Sequence, residues 1–174
     1  MDKKITRNCA KHIRSLLDIQ NISSLLVEKI QTLGIYNQAN NILLYYPKKG
    51  ELDFTELANN PQKKFYLPRL EDNNIVCCLW EPLDELKLSK YSIYEPCTNP
   101  TSINNIDLII LPGLCADIQK NRLGYGKGCY DKLLTESRAT TIFPIPDELL
   151  FERIPTDTHD QKADIIITPT KIIQ

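Results

Sequence analysis

The run Asp107–Leu111 (DLIIL) constrains the fold most. It is apolar on both sides of any strand it forms, and Pro112-Gly113 closes it at once. Such a strand is buried on both faces, the signature of a sheet covered by helices rather than one with a wet face. Asn41–Tyr46 (NILLYY), Thr140–Ile145 and Asp164–Thr168 repeat this character. Helical patterns lie between them. Ile5, Cys9, His12, Ile13, Leu16 and Leu17, then Ile22, Leu25, Leu26, Ile30 and Leu33, recur at helical spacing and predict two helices over the first 34 residues, with Gly34 as C-terminal cap. Further elements are a helix near Asp53–Asn60, a strand Lys64–Leu67 stopped by Pro68, a turn Glu71–Asn74 and a returning antiparallel strand Ile75–Trp80. Glu81–Pro100 has no clean periodicity and reads as a surface crossing. Buried strands alternating with helices predict one α/β domain over 1–174, three α/β/α layers with a mostly parallel, Rossmann-like sheet.

Composition excludes several classes. The formal net charge of −1 gives no support to nucleic-acid binding, and no apolar run approaches the roughly 18 residues that cross a bilayer. The basic start MDKKITRNCAKHIR lacks the apolar core of a secretory signal, so a cytoplasmic protein is expected. Cys9, Cys77, Cys78, Cys97, Cys115 and Cys129 contain no C-x-x-C pair, and with only His12 and His159 available no zinc spacing emerges. They read as reduced thiols acting as small hydrophobes. Cys77 and Cys78, adjacent in a strand, are expected on opposite faces.

The chemistry concentrates in Arg122-Leu-Gly-Tyr-Gly-Lys-Gly-Cys-Tyr-Asp131. Gly124, Gly126 and Gly128 alternate, which removes side chains where backbone must approach a ligand or take positive φ. A helical pattern begins directly after them, so free N–H groups and the positive end of a helix dipole meet there. Lys127 and Arg122 add full charges, and Asp131 offers oxygen to a divalent cation. The run is neither G-x-x-x-x-G-K-[ST] nor G-x-G-x-x-G, because Cys129 stands where the third glycine would fall. Residue types alone thus predict a phosphate site of unassigned kind.

The same run, with Pro112-Gly113 and Asp117 before it, resembles the signature of the 5-formyltetrahydrofolate cyclo-ligase family. The resemblance extends through Lys3 and Arg7, Tyr45-Tyr46-Pro47 with Glu51, Leu67-Pro68-Arg69, Ile93-x-Glu95-Pro96, and His159-Asp160 leading to Asp164–Thr168. Ala116, Lys120 and Cys129 depart from it: the family usually carries aromatic residues at the first and last, and a glycine near the second. The resemblance implies an ATP-dependent ligase that closes 5-formyltetrahydrofolate to 5,10-methenyltetrahydrofolate with magnesium. It implies ATP contacts from Lys3 (or Lys4, one register on), Arg7, Arg122, Leu123, Gly124, Tyr125, Gly126, Lys127, Gly128, Cys129 and Tyr130. Folate contacts would come from Arg7, Tyr46, Glu51, Tyr125, Gly126, Lys127, Gly128 and Cys129, with Lys127 and Arg122 as catalytic cations. Asp131 and Asp160 would hold magnesium, Asp164 being the near alternative.

Taken without that resemblance, the outlying residues have plainer readings. Lys3 and Arg7 form a solvated helix face, Tyr45 and Tyr46 are core tyrosines, and Glu51 is a turn residue. Trp80 is read as hairpin packing, and His159-Asp160 as a loop before the next strand. The implied partners are small molecules, reduced folate and ATP, with no nucleic acid or membrane, on a monomer or weak homodimer. A non-catalytic nucleotide- or folate-binding relative would bind both ligands without product, and a sugar-phosphate or acyl-transfer enzyme on a similar sheet would need no ATP.

Overall fold

Leu43, Ile109 and Phe143 lie on neighbouring strands in the middle of the molecule, fully buried, as apolar residues on both sides of a strand require. The computed structural model describes residues 2–72 and 74–174. Its helices are α1 (Lys3–Ser15), α2 (Ile19–Thr32), α3 (Gly34–Gln38) and α4 (Cys129–Glu136). The strands are β1 (Asn41–Leu43), β2 (Lys64–Glu71), β3 (Asn74–Trp80), β4 (Leu86–Leu88), β5 (Tyr94–Pro96), β6 (Pro100–Thr101), β7 (Leu108–Ile110), β8 (Cys115–Asp117), β9 (Arg122–Leu123), β10 (Thr140–Pro144), β11 (Leu150–Phe151), β12 (Ile165–Ile167) and β13 (Ile172–Ile173).

Eight strands form the main sheet in the order β13-β12-β10-β7-β1-β2-β3-β6. The five from β12 to β2 are parallel, and β13, β3 and β6 join antiparallel at the flanks. From β1 the chain proceeds outward to β2, then returns to β7 on the other side and continues to β10 and β12. The order therefore reverses between β1 and β7, where open α/β sheets bind ligands. Alternation along the strands sorts the core. Ile42, Leu44, Leu108, Ile110, Ile142 and Ile167 pack with Leu26, Val27 and Ile30 of α2 and Tyr36 of α3. Leu43, Ile109, Leu111, Phe143 and Ile166 pack on the opposite face with Leu133 of α4. Each fully buried Leu or Ile contributes about 1.5–3 kcal/mol. The expected three-layer α/β/α architecture is thus present.

A third apolar cluster joins α1, through Ala10 and Ile13, to the small sheet β11-β8-β9, through Cys115, Leu123 and Phe151. This reverses the expected orientation of α1. Ile5 and Leu16 are more than half exposed, and the buried face carries Thr6, Ala10 and Arg14. Burial pushes the Cys77 and Cys115 thiols up to about 12, so both stay protonated at neutral pH. No helix among the described residues is long and apolar enough to cross a membrane.

Other differences are local. Leu33 turns the chain after α2 in extended conformation, and Gly34 opens α3 instead of capping α2. The helix expected near Asp53–Asn60 is a 3-10 turn, Thr55–Asn59, started by the Asp53 carboxylate accepting from Thr55 N–H at 2.8 Å. The turn Glu71–Asn74 includes residue 73, which lies outside the described residues; Asp72 beside it has φ 46°. Glu81–Pro100 contains the hairpin β4–β5, and the hairpin β8–β9 intervenes between β7 and the glycine run. β2 does not stop at Pro68 but continues to Glu71. The N–H of Leu44 donates to the carbonyl of Tyr66, so by alternation Pro68 turns its nitrogen to the same side, past the end of β1 where no partner is needed.

Gly113 supplies a stability test. A Cβ there would lie 2.6 Å from Cζ of Phe143, which is fully buried. Gly113→Ala should lower the unfolding free energy by about 1–3 kcal/mol through overpacking, measured by denaturant titration. Unchanged stability would show that Phe143 has room to yield.

Candidate active site

Lys3, Arg7, Ala10 and Arg14 fall at i, i+4, i+7 and i+11 along α1 and so share one face. Ala10 has no exposed surface and seats that face on the small sheet. The three cations then reach three different segments. Lys3 Nζ donates to Asp157 Oδ2 at 2.8 Å and to Asp160 Oδ2 at 2.5 Å. Arg7 Nε donates to the Gly124 carbonyl at 3.0 Å. Arg14 Nη2 donates to the Gly113 and Leu114 carbonyls at 2.6 and 3.1 Å, and its Nη1 to the Tyr125 hydroxyl at 3.1 Å. Lys4, one register on, is exposed and does not border the cavity, whereas Lys3 does.

The glycine run lies between these anchors. Gly126 has φ 100°, and a Cβ on it would come within 3.2 Å of the Arg7 guanidinium carbon. Gly128 has φ 67° and caps α4 with no side chain over the first-turn N–H groups. Both conformations favour glycine, and the second leaves those donors open to an anion.

Arg122 is 6% exposed, and its Nη2 donates to Asp131 Oδ1 at 2.7 Å. Burial pulls the guanidinium pKa down, and the Asp131 charge opposes that pull. The same Asp131 oxygen accepts from Gln161 N–H at 3.2 Å, which draws Asp131 to the loop carrying Asp160. At Asp160 burial acts to raise the pKa. Hydrogen bonds from Lys3 and the Asp157 N–H outweigh it and leave the carboxyl below its ordinary value. Asp131 and Asp160 both border the cavity, and with Asp157, whose carboxylate lies with His159 and Asp160 in a group of ligand atoms within 4.8 Å of one another, they make up its acidic corner. Asp164 faces elsewhere: its carboxylate accepts from both N and Oγ1 of Thr141 at 2.8 Å, holding the start of β10 to the start of β12.

Across the cavity, Lys127 Nζ sits 3.6 Å from the centre of the Tyr91 ring. Tyr91 lies in the turn of the β4–β5 hairpin, and Lys48 Nζ donates to its carbonyl at 3.1 Å. Tyr46 packs edge-on against Trp80 and Tyr94, and Glu51 accepts from Lys48 N–H at 2.8 Å. The Tyr125 hydroxyl lies beside Glu51, and burial together with that carboxylate pushes its pKa up. Together these groups border a cavity of about 640 Å³ beyond the ends of β1 and β7.

Every other candidate named from the sequence borders this cavity: Lys3, Arg7, Tyr46, Glu51, Asp160 and all of Arg122–Asp131. Leu123 packs its side chain into the α1 cluster. Cys129 begins α4, its Sγ 3.8 Å from the Lys127 carbonyl. Arg14, Tyr91 and Asp157 were not anticipated. The spacing of Arg14 from Lys3 and Arg7 was a usable signal, whereas nothing in Glu81–Pro100 pointed to Tyr91.

Comparison with known proteins bears on the family and the fold. The model of the 5-formyltetrahydrofolate cyclo-ligase family matches residues 3–169. A probable 5-formyltetrahydrofolate cyclo-ligase of Schizosaccharomyces pombe is 29% identical over 91% of this chain and 88% of its own length. The Escherichia coli K12 5-formyltetrahydrofolate cyclo-ligase is 27% identical over 77% of this chain and 80% of its own. The solved structure of Aquifex aeolicus 5,10-methenyltetrahydrofolate synthetase superposes with a TM-score of 0.89 at 28% identity, covering 99% of this chain and 92% of that one. The fold, the ordered motifs and these relatives together place the chain in the 5-formyltetrahydrofolate cyclo-ligase family, a family of ligases.

Proposed function

We propose that the protein converts 5-formyltetrahydrofolate to 5,10-methenyltetrahydrofolate at the expense of ATP, releasing ADP and phosphate. The observation that carries this reading is the convergence, on one cavity, of the open α4 N-terminus, Lys127 and the Asp131–Asp160 corner. These are the parts that a triphosphate requires, beside a wall of tyrosines and a carboxylate suited to a flat, N–H-rich ring.

The chemistry needs charge and position more than a protein nucleophile. The formyl oxygen attacks the γ-phosphorus and ADP leaves. The folate 10-nitrogen then attacks the activated formyl carbon, loses its proton, and phosphate departs with the oxygen as the ring closes. Lys127 is held by a ring face and by no carboxylate among the described residues, so it is available to exchange the ring for phosphate oxygens. Arg122, buried and paired, fixes Asp131 and adds positive potential beneath the loop. The first-turn N–H groups of α4 bind oxygen without moving. Tyr46 and Glu51 would meet the pterin, Glu51 accepting from its N–H groups.

Asp131 and Asp160 offer hard oxygen donors, and Asp160, with Asp157, accepts the positive charge of the Lys3 ammonium, which supports a cation at this corner. These two carboxylates would hold magnesium, which would neutralise charge on the triphosphate.

The test follows absorbance of the methenyl product on mixing protein, 5-formyltetrahydrofolate and magnesium, with and without ATP. Turnover only with ATP is expected; none with ATP would overturn the proposal. Lys127→Ala should lower kcat by roughly 100-fold with the melting temperature preserved, the scale of losing one transition-state donor. Wild-type turnover would remove Lys127 from the mechanism. Asp131→Ala would also leave buried Arg122 unpaired, so Asp160→Asn is the cleaner probe of the metal corner. It should raise the magnesium concentration for half-maximal rate by about tenfold or more. An unchanged magnesium dependence would reassign Asp160 to holding Lys3.

A further inference from the structure

Arg14 lies two helical turns beyond Arg7, away from the acidic corner, and is 7% exposed. A buried guanidinium is costly unless its donors are used. Nη2 meets part of this cost with the two carbonyls that follow β7, Gly113 and Leu114, while Nε has no partner among the described residues. Nη1 goes instead to the phenol oxygen of Tyr125, in the middle of the glycine run. The Tyr125 ring is 46% exposed and borders the cavity, so its hydroxyl end is tied to the helix while its body faces the ligand.

Among the described residues this is the only hydrogen bond from Arg14 to a residue that borders the cavity. Among the described residues Arg14 donates to no carboxylate of the acidic corner and to no residue of the glycine run but Tyr125, whereas Arg7 bonds Gly124 and Lys3 bonds Asp160. Tyr125 stands beside Glu51, the carboxylate that faces the pterin in the proposed function. A phenol that accepts from Arg14 keeps its own proton for an acceptor, and Glu51 is the acceptor at hand. The phenol is protonated at neutral pH, as an ordinary phenol is, and burial and the Glu51 charge push its pKa further up.

We propose that Arg14 is a positioning residue for folate: from the β7 exit it fixes the Tyr125 hydroxyl, which in turn orients the Glu51 carboxylate toward the ring. Tyr125 is a candidate contact for both ligands, but the hydroxyl that Arg14 holds stands beside Glu51, so the effect is expected on folate and not on ATP. The inference rests on the folate reading of the cavity but assigns a residue and a route that the reading does not contain. A purely structural Arg14 would act alike on both substrates, or on stability alone. A positioning Arg14 acts on one substrate and only through the Tyr125 oxygen.

The test is a double-substitution cycle on the full-length protein. The Michaelis constants for 5-formyltetrahydrofolate and for ATP are measured in wild type, Arg14→Lys, Tyr125→Phe and the pair. Each single change should raise the folate constant by about tenfold, the scale of one lost charge-assisted hydrogen bond, while the ATP constant moves less than about twofold. In the pair, the Arg14 change should add less than about twofold to the effect of Tyr125→Phe. Independent effects in the cycle, or equal shifts for both substrates, would overturn the route through Tyr125. If Arg14→Lys fails to fold, Tyr125→Phe still decides, since it removes one oxygen from a half-exposed ring: an unchanged folate constant sinks the proposal. Wild-type protein without ATP-dependent turnover is a different failure, of the folate reading itself.

Discussion

Helix α1 presents Lys3, Arg7 and Arg14 on one face, one and then two turns apart, and each of them ends on a different stretch of chain. Lys3 holds the loop before β12, Arg7 the glycine run, and Arg14 the exit from β7. None of these stretches is regular structure that would fix itself. Their backbone carbonyls and carboxylates are instead satisfied by one rigid rod, seated by Ala10 on the small sheet. The cost of burying Arg14 and partly burying Lys3 is met only when all three loops are in place, so helix docking and site assembly are one event. The sheet supplies the platform, and α1 closes the circuit around it.

The electrostatics follow from that arrangement. A chain of net charge −1 concentrates Lys3, Arg7, Lys48, Arg122 and Lys127 around one cavity. Glu51, Glu95, Asp131, Asp157 and Asp160 border the same cavity, so its cations are matched by acids and the net charge of the chain gives no sign of the site. Within the cavity the cations are not equivalent. Arg122 and Lys3 are committed to carboxylates, and Lys127 rests on a ring. An ammonium–ring contact at a partly exposed position is worth about 0.5–1 kcal/mol, which a phosphate oxygen readily outcompetes.

What was legible in the residues divides along physical lines. The buried strands were readable because side chains on both faces must be apolar, and Ile109, Phe143 and Ile166 lie where that reading put them. The glycine run was readable because positive φ and close approach restrict residue type, and Gly126 and Gly128 show both. Strands of two or three residues, such as β9 and β4, carry no period to detect. The apolar residues of α1 misled, since Ile5 and Leu16 face solvent while a threonine and an arginine are buried. In that helix hydrogen bonding by cations, not transfer of hydrocarbon, selects the inward face. Choosing Lys3 over Lys4 required the register that Arg7 and Arg14 set together.

Pro68 shows how a sheet opens without leaving a gap in its bonding. β1 leaves the ladder after Leu44, and the next position of β2 facing that side has no hydrogen to offer. Any other residue would aim a donor into the space that the departing chain vacates, and water would be drawn there. With proline the ladder ends in carbon, continuous with Leu70, Ile75 and Ile93 along the same wall. That stretch of wall presents hydrocarbon in place of an unpaired backbone donor, and the N–H of Leu70 farther along is taken by the Glu95 carboxylate, which borders the same cavity.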